Sequence, residues 1–311
     1  MTPELADTQV GVFGQAGSRP AGLQPPLVAR WEVPPGSPVM DREELHVWRV
    51  RLDIPVSESE RRAAWLAAEE RGRASRFRHD LDRRRYVAHQ SALREILGAY
   101  LGLDAGQVQL DRDRLGKPHL AGEAGAGWQF SVSHSGGIGL VAVRRGMQVG
   151  VDVEQVILGF DWREVAAMAL SEREKRGLDA LPADRQGDAF FAIWTRKEAL
   201  AKAVGLGLRL ELPALEVPAE PWIGGWSVQR FPAQEGEVEC AIVDLPVGEG
   251  CRASLASVGG TAHVRGFDWM ARVSSATDQV AIFGAHTVPE GLVEGRRARL
   301  VSLPSCGGRA R

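Results

Sequence analysis

Cysteine is scarce in this 311-residue chain, and Cys240, Cys251 and Cys306 show neither CxxC spacing nor a nearby histidine pair. A zinc site and a disulfide framework are therefore not expected, and thiols this sparse suit a reducing cytoplasm. No run of 18 or more apolar residues occurs, so no membrane-spanning helix is predicted. The opening residues, MTPELADTQVGVFGQAGSRPAG, lack the basic start and apolar centre of a signal peptide, and the expectation is a cytoplasmic protein. An excess of charge is missing too: 38 Lys and Arg oppose 40 Asp and Glu, a formal net charge of -2. That balance argues against a general nucleic-acid or membrane-surface partner, so any anion must be met by a few local groups. The length allows one large domain or two packed ones with a real core.

Residues 1–43 are rich in Pro, Gly, Ala and Ser and read as a loose extension. LHVWRVRLDI at 45–54 alternates as a strand does, with Trp48, Val50 and Leu52 expected to face the core. Helical spacing of apolar residues recurs over 57–77 and 82–101. WQFSVSH (128–134), IGLVAVRR (138–145) and VGVDVEQV (149–156) follow with short Gly-bearing joins, for which an antiparallel meander is the simplest arrangement. Helical patterns return at 161–179 and 187–204, the second closed by Gly205 as a C-cap, before a β-rich region at 224–271. This order predicts an α+β fold of two halves, 44–147 and 148–271. The tail at 272–311, with the basic segment EGRRARLV, suggests no function.

The period of a strand places Val149, Val151 and Val153 on one face of VGVDVEQ and Gly150, Asp152 and Glu154 on the other. Neighbouring carboxylates repel, which raises a pKa or calls for a cation; Mg²⁺ suits them because it prefers oxygen ligands and shares them with substrate phosphates. A solvated strand face with two unrelated acids is the plainer alternative. On FFAIWTRKEALAKAVG, Glu198 and Lys202 stand four apart, either as an ordinary surface pair or as a third carboxylate and a cation for a phosphate. FSVSHSGG turns Ser131 and Ser133 outward before His134 enters a Gly-rich bend suited to cupping a phosphate; a hydrolase reading fails for want of a GxSxG turn. In RLGKPHL, Gly116 and Pro118 shape a turn that holds Lys117 outward. Arg73, Arg85 and Arg94 are further cations able to meet an anion.

The ordered set GKPHL, FSVSHSGG, VGVDVE and WTRKEALAKAVGLGL resembles the 4′-phosphopantetheinyl transferase superfamily, in its Sfp-type branch of two fused pseudo-equivalent halves. The resemblance spans residues 44–271. It implies an active site at the interface of the halves and a monomeric enzyme with holo-[acyl-carrier-protein] synthase activity. Phosphopantetheine would pass from coenzyme A to a serine of an acyl or peptidyl carrier protein of polyketide, nonribosomal peptide or fatty-acid synthesis. It also implies Mg²⁺, with Mn²⁺ as a substitute, ligated by Asp152, Glu154 and Glu198. Glu198 would serve as general base and Lys202 as the phosphate-contacting, leaving-group lysine. Ser133 and His134 would form the coenzyme A phosphate loop, Lys117 and Pro118 the adenine-side turn, and Arg73 and Arg85 the surroundings of the 3′-phosphate. Glu70 replaces a basic residue of some relatives. A non-catalytic coenzyme A or carrier-binding module and a Mg²⁺-dependent pyrophosphate hydrolase are the alternatives.

Overall fold

Strand propensity and helical periodicity resolve into eleven strands and six α-helices in the computed structural model, which describes residues 31–34, 38–205, 211–219, 225–233 and 236–269. The expectations for residues 1–30 and for the tail from 270, including the basic segment and Cys306, lie outside these described residues. The first part of the chain supplies β1 (Trp31–Glu32), β2 (Glu44–Arg51), α1 (Val56–Arg62), α2 (Ala68–Ala74) and α3 (Asp80–Leu101). It continues with β3 (Leu110–Arg112), β4 (Pro118–Leu120), β5 (Trp128–Ser135) and β6 (Ile138–Arg145). The second part supplies β7 (Val149–Gln155), α4 (Arg163–Ala169), α5 (Glu172–Asp179) and α6 (Ala183–Val204). It ends in β8 (Ser227–Ala233), β9 (Gly236–Asp244), β10 (Cys251–Val258) and β11 (His263–Trp269).

Two sheets result, ordered β1-β11-β2-β6-β5 and β7-β10-β9-β8, beside a small β3-β4 ribbon. The halves repeat one plan. In each, an opening strand leads through short helices to a 22-residue helix and returns to the sheet, giving β2-β6-β5 in one and β7-β10-β9 in the other. Both long helices stop at a glycine in the left-handed region, Gly102 (φ 68) and Gly205 (φ 73). The halves also interlock, since β11 crosses back to pair in parallel with β2.

Three apolar layers hold this together. Trp48, Val50, Val141 and Val143 pack under Leu93, Ile96 and Leu97 of α3. Ile242 and Ala256 pack under Phe190, Ile193 and Leu200 of α6. Between the sheets, Leu45, Val47, Leu140 and Ala142 meet Val149, Val151, Val153 and Leu255. The strand β2 is thus buried on both faces, not only on the Trp48 face, because a second sheet covers the face carrying Leu45 and Val47.

Three readings of the pattern need correction. The single helix expected at 57–77 is two helices with a 3₁₀ turn at Ala63–Trp65 between them, and extended Leu66 (φ -73, ψ 144) breaks the run to bury its side chain against Tyr86 and Val87. The helix expected at 161–179 divides at Leu170 (φ -102, ψ 145), and the Ser171 hydroxyl caps α5 by accepting from Glu174 N. The meander stops after β6, whose second edge is taken by β2, so β7 pairs with β10 in the other sheet. No helix among the described residues is long and apolar enough to cross a membrane.

Candidate active site at the seam of the halves

The edge strands β5 and β7 meet side by side, and alternate serines of β5 join them. Ser131 Oγ accepts from Val151 N (3.1 Å), and Ser133 Oγ donates to Asp152 Oδ1 (2.7 Å). Ser135 Oγ donates to Glu154 Oε2 (2.8 Å) while accepting from Gln155 N (3.0 Å). The outward face expected for Ser131 and Ser133 is therefore the contact surface between halves, and Ser131 is buried. His134 remains within β5 and points to the opposite side, where its ring meets that of His89 on α3 edge-on at 4.8 Å.

On the other flank α6 presses against β7. A Cβ on Gly150 would come within 2.0 Å of Ala199 O and 2.4 Å of Ala203 N, so only glycine allows this approach. The register brings Lys202 onto the acid strand: its Nζ donates to Asp152 Oδ1 (2.7 Å) and Val151 O (3.2 Å). Asp152 is 3% exposed rather than on a solvated face, and its Oδ2 is buried without a partner. Burial, and then the charge of Asp152, raise Glu154 to about 7, against hydrogen bonding from Ser135 and the pull of Lys202. The same two causes raise Glu198, opposed by Lys202. Burial alone lowers Lys202, but Asp152, Glu198 and Glu154 outweigh it and its pKa ends above the ordinary lysine value.

These interactions bring Asp152, Glu154, Glu198 and Lys202 into one electrostatic unit. They do not form a closed three-carboxylate cage: among the described residues no three His, Cys, Asp or Glu side chains converge as a ligand set. Like charges hold apart, and the ammonium of Lys202 is the cation that Asp152 pairs with. Mg²⁺ nevertheless fits the donor set, because it is usually held by one or two carboxylates plus substrate phosphates, and Asp152 offers a buried, unpartnered oxygen.

The cationic side of the seam is built from α2, α3 and β5. Burial, then Lys202 and Arg73, lower the pKa of His134; burial, then His134 and Lys202, hold His89 far below the usual histidine range. Arg73 lies over the Tyr86 ring at 5.5 Å. Arg85 is held by Asp53 through Nε (2.6 Å) and Nη2 (3.1 Å), beside the Gly136-Gly137 turn where a Gly137 Cβ would stand 3.7 Å from Arg85 Nη2.

Two expectations change and one holds. Lys117 turns inward, its Nζ donating to Lys202 O (2.8 Å), because the last turn of α6 presents an unpaired carbonyl. Pro118 stays at the turn, opening β4 opposite Arg112. Arg94 is buried and committed to Glu70 (2.9 Å), whose carboxylate also caps α2 by accepting from Ala67 N, so neither is an anion contact. Sequence reasoning missed Ser135, His89 and Asp53. The alternation of serines at 131, 133 and 135 was the one available signal.

Comparison with known proteins adds an independent line. Residues 148–242 match the family described as the 4′-phosphopantetheinyl transferase superfamily, and residues 55–145 match that of the 4′-phosphopantetheinyl transferase N-terminal domain. The chain is 35% identical over 243 residues to the 4′-phosphopantetheinyl transferase HetI of Nostoc sp. (strain PCC 7120), covering 77% of this chain and 95% of that protein. It is 28% identical over 178 residues to the 4′-phosphopantetheinyl transferase Sfp of Bacillus subtilis (strain 168), covering 56% and 76%. It is 27% identical over 177 residues to the human L-aminoadipate-semialdehyde dehydrogenase-phosphopantetheinyl transferase, covering 51% and 57%.

Proposed function

The chain belongs to the 4′-phosphopantetheinyl transferase superfamily in its two-half form, and from that premise we propose that Asp152, Glu154, Glu198 and Lys202 are its reaction centre. The enzyme transfers 4′-phosphopantetheine from coenzyme A to a serine of an acyl or peptidyl carrier protein, converting apo carrier to holo. The carrier belongs to polyketide, nonribosomal peptide or fatty-acid synthesis, and the enzyme acts as a cytoplasmic monomer with Mg²⁺. The observation that carries the site assignment is Asp152: one oxygen is held by Ser133 and Lys202, and the other is buried and unpartnered beside two carboxylates of raised pKa.

In this reading the residues divide the work. Glu198, whose pKa burial and then the charge of Asp152 raise, takes the proton of the carrier serine, directly or through a water. The serine Oγ bonds to the β-phosphorus, the bond from that phosphorus to the bridging oxygen breaks, and adenosine 3′,5′-bisphosphate leaves. Lys202, kept protonated by its acidic neighbours, meets the negative charge gathering on the leaving oxygen. Asp152, Glu154 and Glu198 would hold Mg²⁺, which when bound neutralises and orients the pyrophosphate. Ser133 and His134 line the phosphate path, with Arg73 and Arg85 as cations for the 3′-phosphate and the Lys117-Pro118 turn on the adenine side. Because Ser133 Oγ, Lys117 Nζ and the Arg85 guanidinium already have protein partners, their contacts to coenzyme A are made by exchange.

Incubation with an apo carrier, coenzyme A and Mg²⁺ tests the proposal by intact mass. A phosphopantetheinyl mass on the carrier, abolished by EDTA and restored by Mg²⁺, is expected. Release of phosphopantetheine to water with no carrier modified would instead identify a pyrophosphate hydrolase.

A further inference from the structure

The three serines of β5 differ in what they hold. Ser131 accepts only the backbone N–H of Val151. Ser133 gives its proton to Asp152, and Ser135 gives its proton to Glu154 while accepting the backbone N–H of Gln155. The ladder therefore does more than join the sheets. On Asp152, Ser133 and Lys202 both engage Oδ1 and none engages Oδ2; on Glu154, Ser135 engages Oε2. A donor fixed on a strand of one half thus selects the orientation of a carboxylate on the other. The Gly136 turn brings the end of β5 close to β7, where a Cβ on Gly136 would lie 2.3 Å from Gln155 Oε1.

We propose that Ser135 is a positioning residue for the metal site, orienting Glu154 across the seam so that a divalent cation finds its carboxylates pre-set. The inference rests on the metal reading above. Partners that orient ligating carboxylates typically change metal affinity by about 10- to 100-fold when removed, whereas a serine that only ties two strands changes stability.

Ser131 supplies the matched control, being a seam contact that touches no carboxylate. Mn²⁺ binding is measured by electron paramagnetic resonance with coenzyme A present, against a protein-free blank, for the wild type, Ser131→Ala, Ser135→Ala and Ser135→Thr, alongside each melting temperature. The expected result is Mn²⁺ affinity weakened about tenfold or more in Ser135→Ala, partly restored in Ser135→Thr and unchanged in Ser131→Ala, even where Ser131→Ala loses more thermal stability. Affinity that is unchanged in Ser135→Ala, or that falls in both alanine variants in step with melting temperature, overturns the proposal and leaves the metal reading standing. No Mn²⁺ binding by the wild type removes the metal reading and this proposal together.

Discussion

Replacing Gly150 by alanine tests how closely β7 and α6 must approach for the site to exist. The added Cβ would sit 2.0 Å from Ala199 O, about 1.4 Å inside the distance at which ordinary contact begins, and 2.4 Å from Ala203 N. All the nearest atoms are backbone, so no rotamer change relieves the clash and strand and helix must part by about 1 Å. Overpacking of this kind costs about 1–3 kcal/mol, and backbone atoms place it at the upper end. At roughly 2–4 °C per kcal/mol for a chain of this size, melting should fall by about 6–12 °C. The larger effect is on rate. Glu198 and Lys202 flank the displaced alanines, and a misplacement of about 1 Å can cost on the order of 100-fold. Gly146→Ala is the control: its φ is +77 with nothing within 4 Å of the added Cβ, so backbone strain should lower stability with little change in rate. Differential scanning fluorimetry and carrier modification measure both variants. A Gly150→Ala enzyme melting within about 2 °C of the wild type at full rate would refute the packing argument.

Other consequences follow from the same contacts. Glu154 is raised to about 7, chiefly by burial and then by Asp152. A raised carboxylate contributes stability below its ordinary pKa of about 4.3 and loses it as pH climbs through about 7. A divalent cation offsets that loss, so Mg²⁺ should raise the melting temperature at pH 8 and not at pH 5; equal shifts at both would contradict the assignment. Lys197 is buried, pairing with Glu174 (2.6 Å) and donating to Ala169 O and Leu212 O. Lys197→Met should therefore cost about 3–5 kcal/mol by stranding the Glu174 charge, with partial recovery in Lys197→Met/Glu174→Met; thermal melts check the pair. Arg85→Ala should raise KM for coenzyme A up to about tenfold with kcat within about twofold, if Arg85 serves the 3′-phosphate as proposed and takes no part in the chemistry at the acid strand. Steady-state kinetics showing an equal fall in kcat would place it in the chemistry instead.

Local rules made parts of this site legible. The period of two in VGVDVEQ separated the three valines, now in the core between the sheets, from Asp152 and Glu154, and the glycine after Val204 marked the end of α6. What escaped was long-range. Whether β7 continues the meander depends on β2, from far earlier in the chain, occupying the second edge of β6. The serines of β5 looked solvated because alternation says which side they face and not that another half covers it. Lys117 looked free because its acceptor, the carbonyl of Lys202, is 85 residues away. Arg94 looked available to an anion until its burial against Glu70 paired the two.

Asp152 is proposed to anchor the chemistry of phosphopantetheine transfer. Asp152→Asn tests it most directly, because asparagine keeps the shape and can still accept from Ser133 and Lys202. The measurement is an intact-mass time course of an apo carrier with coenzyme A and Mg²⁺, run beside a thermal melt. Carrier modification should slow about 100- to 1,000-fold, on the scale of losing a principal electrostatic group, with a cooperative melt retained. A folded Asp152→Asn enzyme that modifies the carrier at the wild-type rate would contradict it.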